Sequence, residues 1–219
     1  QSKTAKSLKT FTSIDEDGHE IIIAPFFKNS EKDEFTNIEA ARNLGNLAYK
    51  LASDAQFKDV SIQSELSEEY TYAFVEGLAL SNYKFDKYKS KATTLIDNIY
   101  VSQDNFTQEA VNTLNNIVKS VFYGRDIVNE PLSTLKAKEI SESAKKVSDE
   151  AGIQYKELGI DAIRSLKMGG VLGVNQGSEL DPTFTVLEWK PENAINKKPI
   201  VLVGKGVVYD TGGYSIKVG

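Results

Sequence analysis

Short β-branched runs alternate with amphipathic stretches along this chain, and that alternation restricts it to layered α/β architectures. His19 to Phe27 (HEIIIAPFF) reads as a buried strand. Phe35 to Ser53 reads as a helix carrying Ile38, Ala41, Leu44, Leu47, Ala48 and Leu51 on one face, because these residues recur at the 3.6-residue helical period. A strand over Lys58 to Gln63, a helix over Glu68 to Leu80 and a strand around Leu95 to Val101 follow. Asn105 to Phe122 then forms a long helix with Val111, Leu114, Ile117, Val118 and Val121 on its apolar stripe.

A second unit is expected after Tyr123-Gly124-Arg125-Asp126-Ile127-Val128-Asn129-Glu130-Pro131, where proline interrupts the pattern. This places the boundaries of two domains at 1–123 and 124–219. Ser133 or Thr134 can cap the next helix, whose apolar positions Leu135, Ile140, Ala144 and Val147 lead to a stop at Gly152. Strands are expected at Ile153 to Leu158, Phe184 to Trp189 and Pro199 to Val203, with a short helix from Asp161 to Met168 and an exposed polar loop from Pro191 to Lys198.

Composition narrows the chemistry. The 219 residues carry a net charge of -5, which argues against a nucleic-acid surface, since that needs a basic face to displace counterions. With no cysteine, a disulfide framework, a thiolate zinc site and a thiol nucleophile are all excluded. The single histidine, His19, excludes mechanisms needing two imidazoles and reads as ordinary surface. Any bound metal must be held by carboxylates and amines. No apolar stretch approaches the ~20 residues that span a bilayer, so no membrane partner is expected.

The chemistry-bearing segment is Val203-Gly204-Lys205-Gly206-Val207-Val208-Tyr209-Asp210-Thr211-Gly212-Gly213-Tyr214-Ser215-Ile216-Lys217. Ile200 to Val203 is apolar on both faces, as a central parallel strand would be, and ligands in such sheets bind beyond the carboxyl ends of strands. Lys205 and Asp210 would lie ~16 Å apart on an extended chain, at about 3.3 Å per residue. They meet at one ion only if the backbone folds back, which the neighbouring glycines permit. Lysine ligates a metal only as the neutral amine, whereas a protonated Lys217 could polarise a carbonyl. The same residues also read as a β-hairpin with solvated lysines, Val207 to Tyr209 pairing with Tyr214 to Ile216. A further alternative is the Asp-Thr-Gly pattern of aspartic proteases at Asp210-Thr211-Gly212, which requires a second aspartate from another copy of the motif.

Four ordered stretches carry a resemblance. Pro199 to Gly206, followed by Asp210-Thr211-Gly212-Gly213 and Ser215-Ile216-Lys217, resembles the first active-site segment of the leucine aminopeptidase family, the two-metal cytosol aminopeptidases. Glu76-Gly77-Leu78-Ala79-Leu80 with Tyr83 to Lys89 resembles the family's N-terminal-domain helix and its exit. Arg125 to Pro131 resembles the entry to its catalytic domain, and Met168 to Val174 with Gln176-Gly177-Ser178 the stretch leading toward the metal-binding strand.

The resemblance implies a smaller N-terminal α/β domain followed by the start of an α/β catalytic domain with a mixed, largely parallel sheet. It implies that Lys205 and Asp210 are metal ligands and that Lys217 polarises the scissile carbonyl. It further implies two divalent ions, zinc or manganese, with bicarbonate in the complete enzyme, peptide substrates losing N-terminal residues of leucine type, a cytoplasmic location and a hexamer. Family members continue with further carboxylate ligands and an Asn-Thr-Asp-Ala-Glu-Gly-Arg stretch. Two of the roughly five ligands that such a pair requires are found here, so the chain is expected to be the N-terminal part of a longer enzyme and inactive alone. The competing expectation is a non-catalytic module for assembly or regulation.

Overall fold

Helix α1 (Glu34–Asp54) and helix α2 (Glu68–Ser81) form the frame of the first of two units in this computed structural model, which describes residues 11–14, 20–24, 26, 28–91, 93, 95–103 and 106–207. The other elements are β1 (Phe11–Ile14), β2 (Glu20–Ile23), β3 (Asp59–Gln63), β4 (Asn98–Ser102), α3 (Gln108–Asn129), α4 (Ala137–Ala151), β5 (Gln154–Leu158), α5 (Ile160–Ser165), α6 (Gly169–Asn175) and β6 (Phe184–Glu188). The α/β architecture expected from the alternation is present. The two units part between Asp126 and Ile127.

Asp33 starts α1: its Oδ1 accepts from the Thr36 amide at 2.8 Å, satisfying one of the donors a first helical turn leaves open. The helix buries Ala41, Leu44, Ala48, Tyr49 and Ala52, the face anticipated from the periodicity and extended to Tyr49. From α2, Ala73, Val75 and Leu78 meet that face. Asn37 is also buried, and it anchors the chain leading into α1: its Oδ1 accepts from Asn29 N at 2.8 Å, while Nδ2 donates to the carbonyls of Asn29 and Asp33, each at 3.1 Å.

Strands β3 and β4 pair in parallel, Asp59 opposite Asn98 through Gln63 opposite Ser102. In both strands alternate residues turn inward: Val60 and Ile62 from β3, Ile99 and Val101 from β4, with the residues between them exposed. The inner face joins Leu78 and Leu114 in the main core cluster, while Tyr100 on the outer face is 57% exposed. Strands β1 and β2 form a separate antiparallel pair, Phe11 opposite Ile23; β1 was not anticipated.

Helix α3 runs through the expected stop at Phe122 and continues to Asn129. Gly124 costs some helical stability, but the first residue that breaks the hydrogen-bonding pattern is Pro131, which lacks an N–H and disfavours helix in the residue before it. In the second unit, Ser133 and Thr134 do not cap α4. Thr134 and Leu135 both donate backbone N–H groups to the Pro131 carbonyl at 2.9 Å, forming a turn, and α4 begins only at Ala137, where the Glu139 carboxylate accepts from the Lys136 amide at 3.2 Å. The stop at Gly152 is as expected: its φ of 66° is left-handed, and its N–H bonds to the Ser148 carbonyl.

Strands β5 and β6 pair antiparallel, Gln154 opposite Glu188 through Leu158 opposite Phe184. The stretch containing Met168 to Val174 supplies the short helix α6, also not anticipated. The strand expected at Pro199 to Val203 is not formed. These residues join no ladder, and Ile200, Val201, Leu202 and Val203 are 84%, 74%, 91% and 92% exposed. An apolar run becomes a central strand only when hydrogen-bonding neighbours and covering helices surround it, and among the described residues of this unit the sole ladder is β5 with β6.

Candidate functional site

Of the three residues singled out for chemistry, Lys205 lies among the described residues; Asp210 and Lys217 lie outside them, as do His19, Asp210-Thr211-Gly212 as a unit, and nearly all of the alternative hairpin. Lys205 is exposed, with Gly204 and Gly206 on either side. A Cβ added to either glycine would meet nothing within 4 Å, so in this arrangement neither glycine is required by crowding. Lys205 follows the exposed apolar run rather than the end of a strand, and it makes no hydrogen bond or ion pair among the described residues.

Among those residues no group of three or more carboxylate or histidine side chains is placed to hold a metal ion. A divalent ion bound through oxygen takes about six ligands, and structural zinc about four. One exposed lysine does not meet either requirement, so the described residues do not by themselves hold the expected ions.

Of the other resembling stretches, Glu76 to Lys89 and the start of Arg125 to Pro131 meet in the first unit, where they have structural work, while Met168 to Ser178 lies in the second. Glu76 Oε2 accepts from Arg42 Nε at 2.7 Å, tying α2 to α1; Glu39 pairs with Arg42 as well. The Arg42 guanidinium is held charged against burial by these two carboxylates. Arg125 Nη1 donates to the Leu80 carbonyl at 2.7 Å, and its guanidinium sits 5.3 Å from the centre of the Tyr83 ring. The Tyr83 hydroxyl donates to Asp126 at 2.8 Å, and its ring lies 5.2 Å from that of Phe122. Thus Glu76 to Leu80, Tyr83 and Arg125-Asp126, distant in sequence, fasten the end of α2 to α3. The sequence supplied the motifs but not this mutual contact.

A two-unit α/β chain with these fastened stretches is the class that the fold defines, and comparison with known proteins specifies it. The model of the cytosol aminopeptidase family, catalytic domain, matches residues 122–219. A Clostridium tetani protein named "Probable cytosol aminopeptidase" is 35% identical over 156 residues, covering 68% of this chain and 32% of that protein. A protein of the same name from Aquifex aeolicus is 30% identical over 202 residues, 91% of this chain and 40% of that protein. A mutant (K354E) tomato leucine aminopeptidase superposes with a TM-score of 0.79 at 22% identity, over 97% of this chain and 44% of that one. The bottromycin maturation enzyme BotP in complex with Mn superposes at 0.70 and 17% identity, over 84% and 40% of the two chains; both superpositions speak to the fold.

The chain belongs to the cytosol aminopeptidase family. It spans about a third of the length of the curated relatives it matches, from 32% to 40% in the two just described. The family match runs through Lys205, Asp210 and Lys217 to Gly219.

Proposed function

We propose that this chain carries the N-terminal domain, residues 1–123, and the opening of the catalytic domain, residues 124–219, of a metal-dependent aminopeptidase that releases N-terminal residues of leucine type from peptides. The observation that carries this reading is the catalytic-domain match over residues 122–219, which takes in all three candidate residues. In this reading Lys205 and Asp210 are metal ligands and Lys217 is the cation that polarises the scissile carbonyl. Two divalent ions, zinc or manganese, supply Lewis acidity and an activated water when bound; the manganese of BotP supports metal use in a related fold. Bicarbonate binding, a cytoplasmic location and assembly into a hexamer belong to the same reading. No helix among the described residues is long and apolar enough to cross a membrane.

The proposed activity is tested with leucine p-nitroanilide and leucyl dipeptides, assaying both the 219-residue chain and the enzyme at the length of its relatives. The expected result is no turnover by the short chain. The longer protein should turn over substrate, lose activity on chelation, regain it with manganese or zinc, and fail to regain it when Asp210 is alanine. Activity that survives chelation, or that returns in Asp210→Ala, overturns the assignment. A chain of purely structural or regulatory use would give no turnover at either length.

A further inference from the structure

The first unit contains a shallow, open groove of about 520 Å³ beside α1 and α2. Its hydrogen-bonding groups are unequally balanced. The acid on its wall, Glu39, is already engaged: its carboxylate takes Arg42 and accepts from Asn43 at 3.3 Å. Arg42 is in turn shared with Glu76. These charges offset one another.

The remaining charged lining groups are all donors, and Asn43 Oδ1 and the Tyr49 hydroxyl, which bond to no described residue, are the neutral oxygens beside them. Lys50 and Lys84 form no ion pair with any described residue, and the Lys84 ammonium rests 5.9 Å from the centre of the Tyr49 ring. Arg125 gives one donor to the Leu80 carbonyl, leaving the rest of its five-donor fork. The Asn46 side-chain oxygen is taken by the Ser81 hydroxyl at 3.1 Å, and its amide nitrogen makes no hydrogen bond among the described residues. Three cations and a free amide donor thus line one groove in a protein whose net charge is -5.

The walls are closely packed helices. Gly45 and Gly77 let α1 and α2 approach closely, and the Arg125 contact holds α3 against the end of α2. A groove whose unpaired charges are all positive suits an oxyanion, because guanidinium and ammonium hydrogen bonds to phosphate or carboxylate are the stronger, charge-assisted kind. We infer that this groove binds a small anion bearing phosphate or carboxylate groups, at a site separate from Lys205, Asp210 and Lys217. The inference is independent of the proposed peptidase activity.

Isothermal titration of the 219-residue chain with pyrophosphate and with citrate tests it. Saturable binding is expected for at least one, and the tighter of the two identifies the ligand as a phosphate or a carboxylate compound. Lys50→Met and Lys84→Met should each weaken that binding about tenfold, the effect of losing one charge-assisted hydrogen bond. Lys58→Met, which removes a lysine paired with Asp97 outside the groove, should leave it unchanged. Circular dichroism of each variant establishes that it is folded. The inference is overturned if neither anion binds the wild-type chain, or if Lys58→Met weakens binding as much as the groove variants do.

Discussion

Gly77 of α2 packs its backbone directly against the backbone of Arg42 in α1, so that a Cβ placed on Gly77 would lie 2.8 Å from the Arg42 carbonyl carbon and closer still to its oxygen. The reciprocal contact is equally tight: a Cβ on Gly45 would lie 2.8 Å from the Leu78 nitrogen. Both obstacles are backbone and cannot rotate away. Gly77→Ala must therefore separate the helices, and overpacking of this kind costs about 1–3 kcal/mol. Urea unfolding at neutral pH should show that loss. Gly124 provides the opposite case, lying inside α3 where an added Cβ would meet nothing within 4 Å; Gly124→Ala should gain roughly 0.5–1 kcal/mol by removing glycine's unfolded-state freedom.

Gly152 ends α4 with φ at 66°. There is space around it, so the penalty for a side chain is conformational rather than steric crowding by neighbours. An L-residue in the left-handed region costs about 1–2 kcal/mol. Gly152→Ala should lose about that amount, and Gly152→Asn less, because asparagine tolerates this region best among the residues with a side chain. Comparing the two by thermal unfolding separates a backbone cost from a packing cost, since asparagine is the larger residue.

Asp86 gives the first unit a pH dependence. The Thr93 hydroxyl, the Lys89 ammonium and the Thr93 backbone N–H, at 2.5 Å, all favour its charged form and hold its carboxyl well below the usual carboxylate range. Lys89 Nζ lies 2.9 Å from Oδ1 as an ion pair without hydrogen-bond alignment. A carboxyl depressed in the folded state stabilises it fully above the unfolded pKa, about 3.9, and loses that contribution as pH falls toward the folded pKa. The stability difference between wild type and Asp86→Asn should be largest at pH 6–7 and shrink steadily below about pH 4. A difference that stays constant down to pH 2 would contradict the role given to Asp86.

The long helices and the pairing strands of the first unit were legible because periodicity reports burial directly: Ala41, Leu44 and Ala48 fall on one side of α1, and Val60 and Ile62 on one side of β3. The Gly152 stop was legible from chemistry. Four-residue β1 was too short to show a period, and the glycines of α6 concealed a helix. Pro199 to Val203 misled because apolar character specifies that a run prefers burial, while strand formation depends on neighbours that the run does not itself encode. Lys205, Asp210 and Lys217 stood out from the glycine-rich segment that carries them, but spacing left a solvated hairpin equally open, and it was the family resemblance that favoured the metal reading. The cationic groove could not be read at all, since Lys50, Lys84 and Arg125 belong to separate segments and converge only through the packing at Gly45 and Gly77 and the Arg125 bond to the Leu80 carbonyl.

The second unit is held by hydroxyls at a position where periodicity suggested aliphatic packing. Ile140, Ala144 and Val147 are half-buried as expected, but the fully enclosed residues on that face are Ser141 and Ser148. The Ser141 hydroxyl lies 2.7 Å from Tyr155 Oη on β5 and 2.6 Å from Thr185 Oγ1 on β6, so one side chain links α4 to both strands. The Tyr155 hydroxyl also donates to Glu157 at 2.9 Å, and hydrogen bonds from Ser141 and Tyr155 hold the Glu157 carboxyl below its ordinary range. Ser141→Ala removes the shared partner while changing volume little. The expected cost is about 1 kcal/mol, since Tyr155 keeps Glu157 and half-buried Thr185 can reach water. Ser141→Val also deletes the hydroxyl and adds bulk at a site with no exposure, so it should cost more, by about 1–3 kcal/mol for the overpacking. If both variants unfold at the wild-type urea concentration, the three-way hydroxyl contact contributes nothing and the aliphatic residues alone hold α4 to the sheet.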